Sequence, residues 1–263
     1  LFDEDFNWVT PAKRDKFLAD VRAAGFNAIV PVVWRGKGVS WPSSLAPMDP
    51  AWSGASGAST DPLKDLIVRA HELGIKVIPW FTVVHRQHSF FPEFHEEGTP
   101  DQAFNIHEEG FRRFIVKLMM EVVDKYAVDG INLDYVRAKG VCKTSACRTH
   151  YSGQTKRDLL QDAEHMWKDK DSGDAIARWN AEAVTLIIQG FSAQARARRP
   201  KLLISVDSHP LARWTYLEGA RSIAWANRGL IDLIFDMKYM KEIDVAAVNG
   251  AKSQLLDPAK YVL

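Results

Sequence analysis

Three aspartates stand at or near the ends of apolar runs in this 263-residue chain: Asp134 closes GINLD, Asp207 lies in LLISVDSHP and Asp236 in LIDLIFDMKYM. Alternate side chains of an extended strand share a face. Asn132 and Asp134 then face one way in the first run, with Ile131 and Leu133 facing the other. Ser205, Asp207 and His209 share a face of the second run, and Asp236 and Lys238 a face of the third, with Tyr239 close by. A carboxylate is costly to bury, so its recurrence where apolar strands end marks a partly solvated rim. Two earlier runs end on Trp34 with Arg35 and on Trp80, with His85 just beyond. Two carboxylates in an aromatic-lined cleft, with no obligatory cofactor, suit hydrolysis of a glycosidic bond. One carboxyl group protonates the leaving oxygen while the other attacks the anomeric carbon or activates water. Arg35 or Arg137 beside Asp134, with drier surroundings for the second acid, would separate their proton affinities.

Each acid has a competing structural reading. Asp134 could pair with Arg137, Asp207 could cap a helix following His209-Pro210, and Asp236 could pair with Lys238. Asp129 and Asp232 fall at strand starts, on the stability side of a barrel, and are set aside. His85, His88 and His95 match no familiar helical ligand spacing, so no metal and no cofactor is expected. Cys142 and Cys147 could close a small disulfide loop in an exported protein or remain two unrelated thiols. Zinc would need more ligands at compact spacing than His150 alone adds. There are nine tryptophans. Trp34, Trp41, Trp52 and Trp214 fall in or beside segments that read as loops, where a flat apolar face suits a sugar ring as well as a core.

The elements that must carry these residues repeat one grammar. Thr10 caps and Pro11 starts a helix with Phe17, Leu18 and Val21 on one face, stopping at Gly25; the apolar strand FNAIVPVV follows. Asp61, Pro62 and the stripe Leu63, Leu66, Ile67 and Ala70 make the second helix, ending at Gly74, before the strand IKVIPWF. A third helix carries Phe111, Phe114, Ile115, Leu118, Met119, Val122 and Val123 into GINLD. A polar, basic insertion over residues 137–173 precedes a long helix closed by Pro200, the strand LLISVDSHP, a shorter helix around Leu217 to Trp225, and LIDLIFDMKYM. Long loops follow the strands and short ones follow the helices. The pattern predicts an α/β fold, a single (β/α)8 TIM-type barrel over residues 1–263 with its chemistry at the strand C-termini. Six strands and a seventh at AKYVL are countable, so the barrel is expected to be incomplete at its termini, with the first strand missing or frayed around Phe6 to Val9 and the last beyond Leu263.

Composition narrows the function classes. A net charge of +1 gives no electrostatic reason to expect nucleic acid or an anionic membrane as partner. No apolar run reaches the roughly 18 residues of a membrane span. There is no G-x-G-x-x-G after a strand and no G-x-x-x-x-G-K-[ST]. Nor does any Gly-rich phosphate loop precede Leu263, as a barrel lyase or isomerase acting on a phosphorylated metabolite would require.

The stretches AAGFNAIVPVVWRGKGVSWPSS, DPLKDLIVRAHELGIKVIPWF, EVVDKY leading to VDGINLDYVR, and GLIDLIFDMKY appear in an order that resembles the bacterial family 10 glycosyl-hydrolase-like TIM barrels, relatives of the alpha-amylase superfamily. The resemblance spans about Ala23 to Tyr239. It implies that Asp134 takes the fourth-strand position of the nucleophile in retaining amylase-type enzymes. The chain departs from that pattern, with Asn132 in place of Arg two residues earlier and Asp207 in place of a Glu on the next strand. It also departs from the chitinase pattern D-G-x-D-x-D-x-E, at Asn132 and at Val136. The expectation is a glycoside hydrolase acting on a polysaccharide or oligosaccharide outside the cytoplasm, extracellular or periplasmic. Asp134, Asp207 and Asp236 are its catalytic candidates; Trp34, Arg35, Trp80, His85, Asn132, Arg137, His209, Lys238 and Tyr239 are its substrate-binding candidates. The alternative is a non-catalytic glycan-binding barrel with the same mouth.

Overall fold

The computed structural model describes residues 1–263 except Ser56, His88 and Met240, so the expectation for His88 lies outside the described residues. The strands are β1 (Phe2–Asp3), β2 (Ala28–Trp34), β3 (Lys76–Val77), β4 (Trp80–Thr82), β5 (Gly130–Asp134), β6 (Leu203–Ser208), β7 (Leu233–Asp236) and β8 (Tyr261–Val262). Every ladder is parallel, in the order β1-β2-β4-β5-β6-β7-β8, with β3 on β2. The apolar run IKVIPWF thus forms two short strands. Pro79 separates them because it has no N–H to donate, although its carbonyl still accepts from Asn132 N at 2.8 Å.

The sheet curls into an incomplete barrel: among the described residues no ladder joins β8 back to β1. The first strand is Phe2–Asp3, ahead of the expected position. Phe6 and Trp8 lie instead in a turn, buried against Trp52 at ring separations of 5.1 and 4.3 Å. That aromatic cluster accounts for the apolar character that suggested a strand there.

The helices are α1 (Pro11–Ala23), α2 (Pro50–Ser53), α3 (Pro62–Glu72), α4 (Glu109–Lys125), α5 (Ser145–Thr155), α6 (Leu159–His165), α7 (Lys170–Arg198), α8 (Arg213–Leu217), α9 (Ser222–Asn227) and α10 (Val245–Lys252). The caps fall where the sequence places them: Thr10 Oγ1 accepts from Lys13 N and Asp61 Oδ1 from Lys64 N. The helix expected around Leu217 to Trp225 is two, α8 and α9. Gly219 divides them at φ 86°, and a Cβ there would stand 2.5 Å from the α7 backbone at Asn180.

Residues 137–173 are more than a polar excursion. Cys142, Cys147, Tyr151, Leu159, Met166, Ile176, Trp179 and Leu217 form a second apolar cluster beside the main core, and Cys142 and Cys147 are joined in a disulfide. Asp162 anchors it, accepting from Tyr151 Oη at 2.5 Å and from Arg157 Nε and Nη2 at 2.6 Å each.

Candidate active site

Strand alternation turns Ile131 and Leu133 into the main core, fully buried, and leaves Asn132 and Asp134 on the opposite face. In the β5–β6 register Asn132 pairs with Ser205 and Leu133 with Val206, which sets Asp134 level with Asp207 on the neighbouring strand. The next ladder pairs Ser208 with Asp236. Three consecutive strands therefore bring Asp134, Asp207 and Asp236 to one rim. All three line a cavity of about 440 Å³ together with Phe2, Trp80, Phe235 and Tyr239.

The environments of the three acids differ. Asp134, 5% exposed, accepts from Tyr135 N at 2.6 Å. Burial lifts its pKa to about 6, opposed by that N–H, by the Arg137 charge and by the nearby Trp80 indole, whose N–H is not aligned for a full hydrogen bond. Tyr135 reaches this position with φ at 51°, a left-handed conformation seldom adopted by an aromatic residue. Asp207 is pushed further, to about 8, by burial and then by the neighbouring Asp134 charge. Asn132 Nδ2 moderates this by donating to Asp207 Oδ1 at 3.1 Å, and it also donates to Ser205 Oγ at 3.0 Å. Asp236 Oδ2 accepts from the Tyr261 hydroxyl and pairs with Lys238 Nζ at 3.0 Å, while its buried Oδ1 has no partner among the described residues.

Of the competing structural readings, only the Asp236–Lys238 ion pair is present. Arg137 lies near Asp134 but pairs with Glu218 at 3.0 Å, and α8 starts at Ala212 with no side-chain cap from Asp207. Arg35 sits over the Phe6 ring at 4.2 Å instead of beside Asp134.

The substrate-binding candidates divide. Trp80 and Tyr239 line the cavity; Lys238 adjoins it through Asp236, and His209 through Tyr239, its ring 6.0 Å from Tyr239 and 5.1 Å from Trp214. Burial lowers the His209 pKa. His85 stands 5.2 Å from the Tyr135 ring and accepts from Lys139 Nζ at its Nδ1, 2.7 Å away. Two candidates need correction. Trp34 has no exposed surface and packs among Phe91, Phe104 and Phe114 of the core, so it cannot touch a ligand. Asn132 is equally enclosed, and its Nδ2 is spent on Asp207 and Ser205. Trp41 and Trp52 are likewise buried, which leaves Trp214 as the member of that tryptophan group at the mouth.

Glu218, at the end of α8, escaped the sequence reading because it follows no strand. Its carboxyl is raised in pKa by burial and faces Arg137, whose guanidinium also lies 4.5 Å from the Tyr135 ring and 4.9 Å from Trp214. Tyr261 was missed for a similar reason, since its hydroxyl meets Asp236 only through the β7–β8 pairing. Among the described residues no cluster of His, Cys, Asp or Glu is grouped to hold a metal ion.

Comparison with known proteins places this arrangement. The fold is similar to a beta-galactosidase from Rahnella sp. R3 (TM-score 0.57, 15% identity, 96% of this chain and 41% of that one). It is also similar to the C-terminal domain of a putative chitinase from Desulfitobacterium hafniense DCB-2 (0.54, 14%, 97% and 62%). A third likeness is to alpha-L-fucosidase isoenzyme 2 from Paenibacillus thiaminolyticus (0.53, 17%, 85% and 36%). The chain thus spans less than two thirds of the length of each, and at such identities the likeness is one of fold, that of TIM-barrel hydrolases. No curated protein matches the chain in sequence. The glycosyl hydrolase-like 10 family matches residues 3–99 and 103–257, including β5, β6, β7 and the acids they carry, and the chain belongs to that family.

Proposed function

We propose that this protein is a glycoside hydrolase that cleaves a polysaccharide or oligosaccharide with Asp134 as nucleophile and Asp207 as general acid and base. The observation that carries the reading is the β5–β6 register, which sets two buried carboxyls side by side facing a cavity. At neutral pH an acid near 6 is mostly ionised and one near 8 mostly protonated, the division of labour that glycoside cleavage needs. Neighbouring strands run about 4.8 Å apart. Carboxyls on adjacent strands and one face then fall in the roughly 5 Å range of retaining enzymes, where the second carboxylate attacks the anomeric carbon directly.

Asp207 would protonate the glycosidic oxygen while Asp134 forms the glycosyl-enzyme bond. Asp207, now ionised, would then draw a proton from water as that water releases the sugar. Asp236 would hold a substrate hydroxyl through its free Oδ1 instead of acting in proton transfer, because Tyr261 and Lys238 occupy its other oxygen. Trp80 and Tyr239 would supply the flat faces for the sugar rings. The Cys142–Cys147 disulfide supports a location in an oxidising compartment, extracellular or periplasmic. Among the described residues no helix is long and apolar enough to cross a membrane.

The test is release of reducing ends from a panel of bacterial and fungal polysaccharides by the wild type and by Asp134→Asn and Asp207→Asn. Hydrolysis by the wild type, reduced at least about a thousandfold in Asp134→Asn, supports the reading. Glycan binding without release by any of the three would instead favour the non-catalytic barrel. Equal release by wild type and Asp134→Asn would remove Asp134 from the mechanism.

A further inference from the structure

Beside the carboxylates, the loops after β2, β4 and β5 bring cations together with little opposing charge. Gly36, at φ 75°, lets the turn after Arg35 lie against the His85 backbone, where any Cβ would meet His85 O at 2.0 Å. Lys139, itself at φ 51°, reaches back so that its Nζ lies 2.7 Å from His85 Nδ1, 3.3 Å from Gln102 O and 5.2 Å from the Tyr135 ring centroid. Arg137 lies over the same Tyr135 ring. Lys139 touches His85, the Tyr135 ring under Arg137 lies 5.2 Å from it, and burial first and then the Lys139, Arg137 and Arg35 charges lower its pKa to about 4. Accepting from Lys139 at Nδ1 leaves its other nitrogen as an N–H donor.

The counter-charges are sparse. Among the described residues neither Arg35 nor Lys139 has a carboxylate within 4.0 Å, and Glu218 is the sole acid paired with Arg137. Among the described residues the buried Arg35 Nε has no hydrogen-bond partner, while Arg137 Nε faces Glu218 at 3.0 Å without good alignment. Arg35 and Lys139 are half-buried yet meet only neutral acceptors, Glu4 O for the first and His85 and Gln102 O for the second, so part of their lost hydration is uncompensated, a cost that a bound anion would offset. The cluster adjoins the catalytic candidates directly, since Tyr135 N donates to Asp134 and Glu4, whose carbonyl faces Arg35 Nη1 at 3.5 Å, lines the same cavity.

We propose that Arg35, His85, Arg137 and Lys139 form a subsite for an anionic substituent, a carboxylate or sulfate group, on the sugar next to the scissile bond. The substrate class is therefore an acidic glycan. This rests on the glycoside hydrolase reading for its meaning, but binding can be measured without turnover. Arg137 and Arg35 present planar donors suited to a carboxylate or sulfate edge, Lys139 adds a compact charge, and His85 adds a neutral donor.

The experiment is calorimetric titration of the full chain with trigalacturonate, a neutral galactose trimer and a sulfated galactose trimer, each at low and high salt. Lys139→Gln, Arg35→Gln and Lys139→Arg are titrated alongside, with thermal melts to verify folding. The wild type should bind at least one acidic trimer about tenfold or more tightly than the neutral one, with the gap narrowing at high salt. Lys139→Gln and Arg35→Gln should each erode that preference, and Lys139→Arg should keep it. Preference for trigalacturonate alone would identify the group as a carboxylate, and preference for the sulfated trimer alone as a sulfate ester. Equal binding of neutral and acidic trimers, or a preference that both Gln variants retain, would overturn the subsite. Turnover of neutral glycans with no acidic preference would overturn it while leaving the hydrolase reading intact. Acidic preference without hydrolysis of any glycan would do the reverse.

Discussion

Asp134 and Asp207 differ through surroundings and not through residue type. Both are buried, but Asp134 has a backbone N–H and the Arg137 charge, whereas Asp207 has one neutral amide and the repulsion of Asp134. Because the two sites are coupled, their proton losses belong to the pair, and activity should rise through about pH 6 and fall through about pH 8. A pH–rate profile that is flat across this window would contradict the assignment. Asn132→Leu removes the donor to Asp207, so the basic limb should move up by about one unit. Direct NMR titration of the Asp207 carboxyl would reveal that shift independently of catalysis. Stability carries the opposite sign from that of a paired carboxylate. Asp207 binds its proton more tightly folded than unfolded, so its favourable contribution is full below about pH 4. That contribution is lost as pH rises through about 8. Asp207→Asn should therefore raise Tm at pH 9 by about 5 °C and change it little at pH 4, as differential scanning calorimetry would show.

The elements that hold these residues were largely readable from sequence, because capping and periodicity are local. Thr10 and Asp61 cap where expected, and the alternation in GINLD places Ile131 and Leu133 in the core, although it also put the enclosed Asn132 at the mouth beside Asp134. Trp34 was misjudged because it stands at the end of β2, where loop and strand readings meet. Its burial depends on phenylalanines of α4 and the preceding loop, distant in sequence. The 137–173 insertion reads as polar because its apolar residues are few, and their common cluster exists only once α7 and Leu217 close over them. Of the site, the strand-end acids were accessible to periodicity. The Arg137–Glu218 pair was not, since α8 brings Glu218 back across 81 residues of chain. The insertion also offers a test of its own. Its disulfide closes a loop with a sequence separation of 5. Replacing both cysteines with serine should cost about 2 kcal/mol, read as a lower midpoint in denaturant. No loss of stability would mean that the apolar cluster alone holds that region.

Taken as a whole, the molecule is an open, curled parallel sheet with its acids at the strand C-termini and a cation-rich flank beside them. Strand pairing does the positioning: β5, β6 and β7 each contribute one acid, with Asp134 level with Asp207 and Asp236 one residue further on, level with Ser208. Placing charged groups at strand ends lets the interior remain apolar while the mouth remains reactive. The likeness to TIM-barrel hydrolases is one of framework, and within it the Asn132–Asp207 hydrogen bond and the Arg137–Glu218 pair order this mouth. The central claim is that Asp134 attacks the sugar. Mass spectrometry of peptides from enzyme acid-quenched during turnover of a slow fluorosugar substrate tests it most directly. The account predicts one glycosyl unit on the peptide bearing Asp134 and none in Asp134→Asn; a glycosyl unit on Asp207 or Asp236 would contradict it.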